Sequence, residues 1–192
     1  MNLSGKKIAI LATDGVEQVE LTQPRQALEE AGAKTELVSI KEGQIKTWHM
    51  KNWSEELTVD KLVDQVEATD YDGLLIPGGV MNPDHLRQNE HAVDFVRAFY
   101  DQGKPIASIC HGPWMLVEAD VLTGVRLTSW PSLRTDIENA GGDWEDSEVV
   151  VDNGIVTSRK PDDIPAFTKK MIEEFLEGEH DRKTQPQVPP VH

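Results

Sequence analysis

Short apolar runs of strand length alternate with longer amphipathic runs along most of the chain. This pattern predicts strands over 7–12, 34–40, 71–76 and 106–109, hairpins or short edge strands over 46–53 and 149–158, and helices over about 19–31, 59–66, 90–102, 131–140 and 165–176. Strands that alternate with helices indicate an α/β domain in which a mostly parallel sheet is covered on both faces. We expect one domain over residues 1–177, followed by a disordered polar tail over 178–192.

Unusual residues follow three of the predicted strands. They are the segments 13–17, with the sequence Thr-Asp-Gly-Val-Glu, 77–79, with Pro-Gly-Gly, and 110–111, with Cys-His. Because the carboxyl ends of parallel strands lie at one edge of a sheet, these segments should come together there. The sequence therefore predicts a functional site at this edge.

Cys110 is the single cysteine among 192 residues. It ends the strand 106–109 and precedes His111, Gly112 and Pro113, which a helix follows. A strand that turns sharply into a helix around one reactive residue is a nucleophile elbow. The helix dipole is expected to lower the thiol pKa from ~8.5 to about 5–6. The alternative is a small core residue, since free cysteines are usually buried, but that role does not require the adjacent His-Gly-Pro turn.

Glu17 is the carboxyl that we expect beside the sulfur. It lies in the loop before the first helix, where it is otherwise a favourable helix-terminal charge. Beside a thiolate its pKa should rise, so that a protonated carboxyl donates to sulfur and then acts as acid or base. Asp14 and Glu20 are alternatives by position. Gly78 and Gly79 form an ordinary turn or supply N–H groups to an oxyanion hole.

Composition excludes several other classes of function. A formal charge of −15 disfavours a nucleic-acid partner, which a basic surface would attract. The sequence contains no apolar run of membrane-spanning length and no signal-peptide core, and one cysteine suits a reducing compartment, so we expect a cytoplasmic protein. Metal-binding motifs, a P-loop and Gly-x-Gly-x-x-Gly are missing, so we expect neither a metal nor a nucleotide cofactor. The second histidine and acid of a glutamine amidotransferase triad are also missing downstream of Cys110.

Six segments together are similar to those of a known family. They are 9–21, 75–79, 82–87, 104–113, 128–131 and 148–152. In order and content they resemble the PfpI family, the intracellular-protease, glyoxalase III and deglycase-like branch of the class I glutamine amidotransferase-like superfamily. The similarity extends from about Lys7 to Leu176.

The resemblance implies a flavodoxin-like three-layer sandwich and a cofactor-free enzyme whose nucleophile, Cys110, is held by protonated Glu17. It implies that His111 is oriented by an acid from a neighbouring subunit, at the position of Asp84, so that the site is completed in a homodimer or a larger homo-oligomer. Trp130 stands near the pocket, where relatives often carry tyrosine.

The expected function is carbonyl-stress defence, by a glyoxalase III or deglycase-type conversion of methylglyoxal or its adducts. Cys110 would add to the carbonyl, and Glu17 would move the proton between adjacent carbons. Two alternatives remain open at this point. One is an intracellular cysteine peptidase, and the other is a stress protein or chaperone that senses peroxide through Cys110.

Overall fold

The computed structural model describes residues 1–182. In these residues the strands are β1 (Lys7–Leu11), β2 (Lys34–Ser39), β3 (Gln44–His49), β4 (Asn52–Thr58), β5 (Lys61–Leu62), β6 (Gly73–Ile76), β7 (Ile106–Ile109), β8 (Arg126–Leu127), β9 (Asp143–Trp144), β10 (Val149–Asp152) and β11 (Ile155–Ser158). The α-helices are α1 (Gln18–Glu30), α2 (Met81–Leu86), α3 (Glu90–Asp101), α4 (Trp114–Glu118), α5 (Arg134–Asn139) and α6 (Ile164–Glu177). None of the helices in this range has the length and apolar character needed to cross a membrane.

The central sheet has seven strands in the order β10-β11-β7-β6-β1-β2-β5. All neighbouring strands are parallel except β10, which pairs antiparallel with β11. The five strands β2-β1-β6-β7-β11 follow the 2-1-3-4-5 order of flavodoxin-like folds, in which ligands bind near the reversal of strand order beside β1. The predicted α/β class and the mostly parallel sheet are thereby confirmed.

Helices cover both faces of the sheet and bury a separate apolar cluster on each. On one face α1 and α6 pack through Leu21, Leu28 and Phe175. On the other face α3 and α4 contribute Phe99 and Met115. Full burial of each large side chain contributes roughly 1.5–3 kcal/mol. The two clusters produce the predicted three-layer sandwich and fix the sheet edge on which the candidate site lies.

The prediction of a helix over 59–66 is wrong. Lys61 and Leu62 form β5, which pairs with the end of β2, and a 3-10 turn over Val63–Gln65 follows. The carboxylate of Asp60 accepts the Leu37 N–H at 2.7 Å and so holds the chain extended along the sheet. The predicted hairpin near 46–53 is present as β3 and β4, an antiparallel pair outside the main sheet.

The predicted disordered tail begins too early. Residues 178–182 pack against the domain, where the His180 N–H donates to the Gly103 carbonyl at 2.7 Å. Arg182 donates to backbone carbonyls of two neighbouring turns, including that of Asn153 at 3.0 Å. The rest of the predicted tail, 183–192, lies outside the described residues.

Candidate active site

The carboxyl ends of β1, β6 and β7 meet at one edge of the sheet. The Glu17 N–H donates to the Gly78 carbonyl at 3.3 Å, which joins the loop after β1 to the loop after β6. A Cβ placed on Gly78 would lie 2.6 Å from the Cβ of Cys110, at the end of β7. The three segments singled out in the sequence therefore converge.

Cys110 has the backbone geometry of a nucleophile elbow. Its φ is +63°, in the left-handed region that only a constrained turn imposes on a residue with a side chain. Its N–H donates to the Ser158 carbonyl at 3.0 Å, and its carbonyl accepts the Trp130 N–H at 2.9 Å. A Cβ on Gly112 would lie 2.6 Å from the Ile76 carbonyl, so the turn requires a glycine there. The Cys110 residue is 7% exposed, so its side chain has little contact with solvent.

Glu20, in the first turn of α1, is the acid beside the sulfur. It is fully buried, and among residues 1–182 no donor makes a hydrogen bond of normal geometry with either of its carboxyl oxygens. Burial raises its pKa to about 8, although the Cys110 thiol and the N–H groups of Gly78 and Gly79 act to lower it and the Glu17 charge acts to raise it. A carboxyl with this pKa is mostly protonated at neutral pH and faces a thiol, which is the role that the sequence analysis gave to Glu17.

The predicted placement of Glu17 against the sulfur is wrong. Its carboxyl turns toward the β3–β4 hairpin, where Oε1 lies 3.5 Å from Nδ1 of His49. The reason is helical geometry: Glu17 is the extended residue just before α1, whereas Glu20 lies on the buried stripe of that helix with Leu21, Pro24 and Leu28. A glutamate on an otherwise apolar helix face is the sequence signal that would have identified Glu20.

The predicted low pKa of the thiol is also wrong. Burial raises the pKa of Cys110 well above its usual value, and the Glu20 carboxylate raises it further. The backbone N–H groups of Gly79 and His111 act in the opposite direction. The helix that was expected to stabilise a thiolate, α4, is five residues long and begins only at Trp114, so its dipole is small and distant.

His111 reaches the sulfur even though it is adjacent in sequence. Its Nδ1 lies 3.2 Å from Sγ of Cys110, a contact that the left-handed conformation of Cys110 permits. The ring of His111 lies between Trp114, in an edge contact at 5.2 Å, and Trp130, stacked at 6.0 Å. Burial lowers the pKa of His111 to about 4, so the imidazole is neutral at pH 7. Its Nε2 lies 3.5 Å from the hydroxyl of Ser132.

The remaining predicted residues occupy distinct positions around this group. The N–H groups of Gly78 and Gly79 face the Glu20 carboxyl, so their use as an oxyanion hole stays a prediction. Trp130 is 39% exposed and covers His111, as a residue at the mouth of the pocket would. Asp84 lies exposed on the short helix α2 and is free to approach another molecule. Its contact with His111 of a neighbouring subunit stays a prediction.

A second cluster of ionisable side chains lies at the opposite edge of the sheet. In residues 1–182, the ligand atoms of Glu174, Glu177 and His180 lie within 4.8 Å of one another, an arrangement that a divalent cation could occupy. Nε2 of His180 lies 3.2 Å from Oε2 of Glu174. His180 is anchored beside Gly103, at the amino end of β7, so this cluster is remote from Cys110.

The chain belongs to the DJ-1/PfpI family, whose family model matches residues 6–174. It is 45% identical over 169 residues to general stress protein 18 of Bacillus subtilis (strain 168), covering 88% of this chain and 96% of that protein. It is 43% identical over 168 residues to protein/nucleic acid deglycase 2 of Escherichia coli (strain K12), covering 87% and 96%. It is 42% identical over 167 residues to YraA of B. subtilis (strain 168), which is named as a candidate cysteine protease, covering 87% and 96%.

Solved structures share the fold. A two-domain protein from Anabaena variabilis, with DJ-1/ThiJ/PfpI-like and ferritin-like domains, superimposes with a TM-score of 0.84 at 31% identity. The match covers 97% of this chain and 52% of that one. DJ-1 of Schizosaccharomyces pombe matches with a TM-score of 0.78 and shares the fold at 22% identity. The relatives named as deglycase and cysteine protease support an enzyme of the DJ-1/PfpI family.

Proposed function

We propose that this protein is a cofactor-independent cysteine enzyme that converts methylglyoxal, or the adducts methylglyoxal forms with amines, to a hydroxy acid. The observation that carries the proposal is the fully buried carboxyl of Glu20 against the Cys110 thiol, with a pKa of about 8. Such a group exists in both protonation states near neutral pH, with about a tenth ionised at pH 7. A proton transfer between two adjacent carbons requires an acid–base group of this kind.

The reaction begins with addition of the Cys110 sulfur to the aldehyde carbon. Neutral His111, whose Nδ1 is 3.2 Å from the sulfur, accepts the thiol proton and passes it to the aldehyde oxygen. The product of this step is a hemithioacetal. Ionised Glu20 then removes the proton from the former aldehyde carbon and returns it to the former ketone carbon. The hydroxyl proton on the former aldehyde carbon moves to the former ketone oxygen through the enediol. The former aldehyde carbon is thereby oxidised to the acyl level while the former ketone carbon is reduced to an alcohol, and the result is a thioester of lactate.

Water completes the reaction by hydrolysing the thioester. The hydrolysis releases lactate and restores the thiol, so the net change is methylglyoxal plus water to lactate, without an external oxidant or reductant. The relative named as a deglycase supports the extension to glycated amines. There the same hemithioacetal and thioester would form after the amine has left the carbon that the sulfur attacks.

The test is lactate production from methylglyoxal without added glutathione. We expect turnover by the wild type, none above background for Cys110→Ser, and a loss of about 10²–10⁴-fold for Glu20→Gln, the usual range for a missing general acid–base. Glu174→Gln is the matched control, because Glu174 is also a buried glutamate whose burial raises its pKa but lies at the opposite sheet edge. Equal turnover by the wild type and Glu20→Gln would contradict the proposal.

Peptide hydrolysis is the second candidate, and the contact between Cys110 Sγ and His111 Nδ1 favours it, since a thiol with an adjacent imidazole is the pair that cysteine peptidases use. The relative YraA bears a name in the same class. Against it, the nearly buried sulfur leaves little room for a polypeptide. Release of labelled peptides from casein by the wild type but not by Cys110→Ser, without lactate formation, would favour the peptidase.

A further inference from the structure

Glu17 is a second carboxyl at the site that the proposed chemistry does not use. It precedes α1 by one residue, and its backbone is held on both sides by the Gly78 carbonyl and by a parallel bridge to Trp48. Its side chain is 17% exposed, whereas Glu20, three residues further, has no exposed surface. A Cβ on Gly78 would clash with Oε2 of Glu20, and one on Gly79, the next residue, would lie 2.7 Å from the Glu17 nitrogen. Both glutamates therefore border the same loop after β6.

Charged and polar groups from each neighbouring element face these two carboxyls. The β3–β4 hairpin presents the imidazole of His49, 3.5 Å from the Glu17 carboxyl, and the Met50 N–H. The loop after β6 presents the N–H groups of Gly78 and Gly79, and the end of β7 presents the Cys110 thiol to Glu20. Glu17 itself is the like charge that opposes ionisation of Glu20.

The hairpin fixes this arrangement independently of the His49 contact. The Trp48 N–H donates to the Val16 carbonyl at 2.8 Å, and the Gly15 N–H donates to the Lys46 carbonyl at 2.9 Å. The amide of Gln18 also donates to the carboxylate of Glu55 at 2.7 Å. A neutral side chain at position 17 should therefore leave the backbone in place and change only the charge beside Glu20.

We propose that Glu17 is a positioning residue whose carboxylate, beside His49, keeps the proton on Glu20 and thereby sets the pH at which the Cys110–Glu20 pair first loses a proton. The acid–base role of Glu20 in turnover rests on the proposed function above. The electrostatic effect of Glu17 on the pair does not, because it is a property of the free protein.

The test is the rate of Cys110 alkylation by iodoacetamide as a function of pH, read by mass spectrometry. At a pH below the first proton loss, the Cys110–Glu20 pair holds two protons and the sulfur is an unreactive thiol. At a pH above it, the one remaining proton is shared between the sulfur and the carboxyl, so a fraction of the protein carries a thiolate that reacts. We expect the wild-type inflection near pH 8, where Glu20 is half ionised. In Glu17→Gln it should fall by roughly half to one pH unit, since a nearby like charge has been removed.

Two variants make the result specific. Glu17→Asp keeps the charge and should return the inflection most of the way to the wild-type value. Glu55→Gln removes a charge from the same hairpin and should leave the inflection where it is, because Glu55 contacts Gln18 rather than Glu17 or Glu20. Circular dichroism spectra confirm that each variant is folded.

Unchanged inflections in Glu17→Gln overturn the inference, as does an equal shift in Glu55→Gln. The outcome is separable from the proposed function, because alkylation needs no substrate. A wild type that makes no lactate but shows the shift on Glu17→Gln refutes the proposed reaction and retains the role of Glu17. If the wild type makes lactate but Glu17→Gln shows no shift, the proposed reaction is retained and the role of Glu17 is refuted.

Discussion

A half-buried arginine and a fully buried glutamate at opposite edges of the same sheet have opposite surroundings. Arg182, at the amino edge, donates to the carbonyls of Tyr100, Lys104 and Asn153 at 2.9–3.0 Å and packs over the Tyr100 ring at 4.8 Å. Glu20, at the carboxyl edge, has no hydrogen bond of normal geometry on either oxygen within the described part of the chain. Burial lowers the pKa of Arg182 to about 10, which still leaves it charged, whereas Glu20 is mostly neutral at pH 7.

The difference separates stability from chemistry. A buried charge that is surrounded by acceptors joins segments of the chain and adds to the free energy of unfolding. A buried carboxyl whose neighbours do not offset its desolvation lowers that free energy when it ionises, and such groups are concentrated at functional sites. Of the two, only Glu20 has the properties of a group that reacts.

The first prediction concerns pH and has the largest expected effect. Because the folded pKa of Glu20 is raised to about 8, its contribution to stability is fully present below the unfolded pKa of about 4.5 and is lost as pH rises through 8. At about 1.4 kcal/mol per pKa unit, this loss is at most about 5 kcal/mol. Glu20→Gln should therefore flatten the fall in the free energy of unfolding between pH 5 and pH 9.

Urea denaturation across that pH range measures the effect. Glu20→Gln should be more stable than the wild type at pH 9 while it is nearly inactive on methylglyoxal. A variant whose stability declines with pH as steeply as the wild type would show that Glu20 is not the ionising group, and the contrast between the two edges would lose its basis.

The second prediction concerns Arg182, the residue compared with Glu20 above. Arg182→Met keeps the apolar part of the side chain and leaves carbonyls of the α3–β7 and β10–β11 turns without their donor. We expect a loss of about 2–4 kcal/mol in the free energy of unfolding, with turnover unchanged, because hydrogen bonds to charged groups are individually worth about 1.5–3 kcal/mol. Arg134→Met, at an exposed ion pair with Glu138, should cost under about 1 kcal/mol.

The third prediction has the smallest effect on stability and concerns Asp84, which is exposed on α2. Asp84→Ala should change the free energy of unfolding by less than about 1 kcal/mol, as for other exposed acids. If Asp84 orients His111 across a subunit boundary, mixing Asp84→Ala with Cys110→Ser subunits should restore activity, because one site then combines intact residues from both chains. Inactive mixtures after verified subunit exchange would confine the site to one chain.

Sequence alone was sufficient for the parallel strands at the centre of the sheet, though not for β5, and for the position of the nucleophile. The strands β1, β6 and β7 are short, almost entirely apolar runs, and such runs are predictable because full burial on both faces leaves no polar alternation. The convergence of three strand ends then follows from the parallel topology. Cys110 was recognisable because the turn after it needs the small residue Gly112.

The identity of the acid and the state of the thiol were not predictable in the same way. Which of Glu17 and Glu20 faces the sulfur depends on where α1 begins, and helix boundaries depend on tertiary contacts such as the bridge to Trp48. The thiol pKa depends on burial, which the sequence around Cys110 does not report. Likewise, Lys61 and Leu62, within the predicted helix 59–66, form β5 because they pair with the edge of β2.

The order in which the site residues occur along the chain has a consequence for biosynthesis. Glu20 follows the first strand to leave the ribosome, but Cys110 becomes buried beside it only after β6 and β7 have joined β1. Until then the sulfur is an ordinary solvated thiol and Glu20 an ordinary carboxylate, since neither is desolvated. An unfinished or misfolded chain therefore has an ordinary thiol and an ordinary carboxylate but no acid–base pair, and the paired groups exist only in a completed molecule.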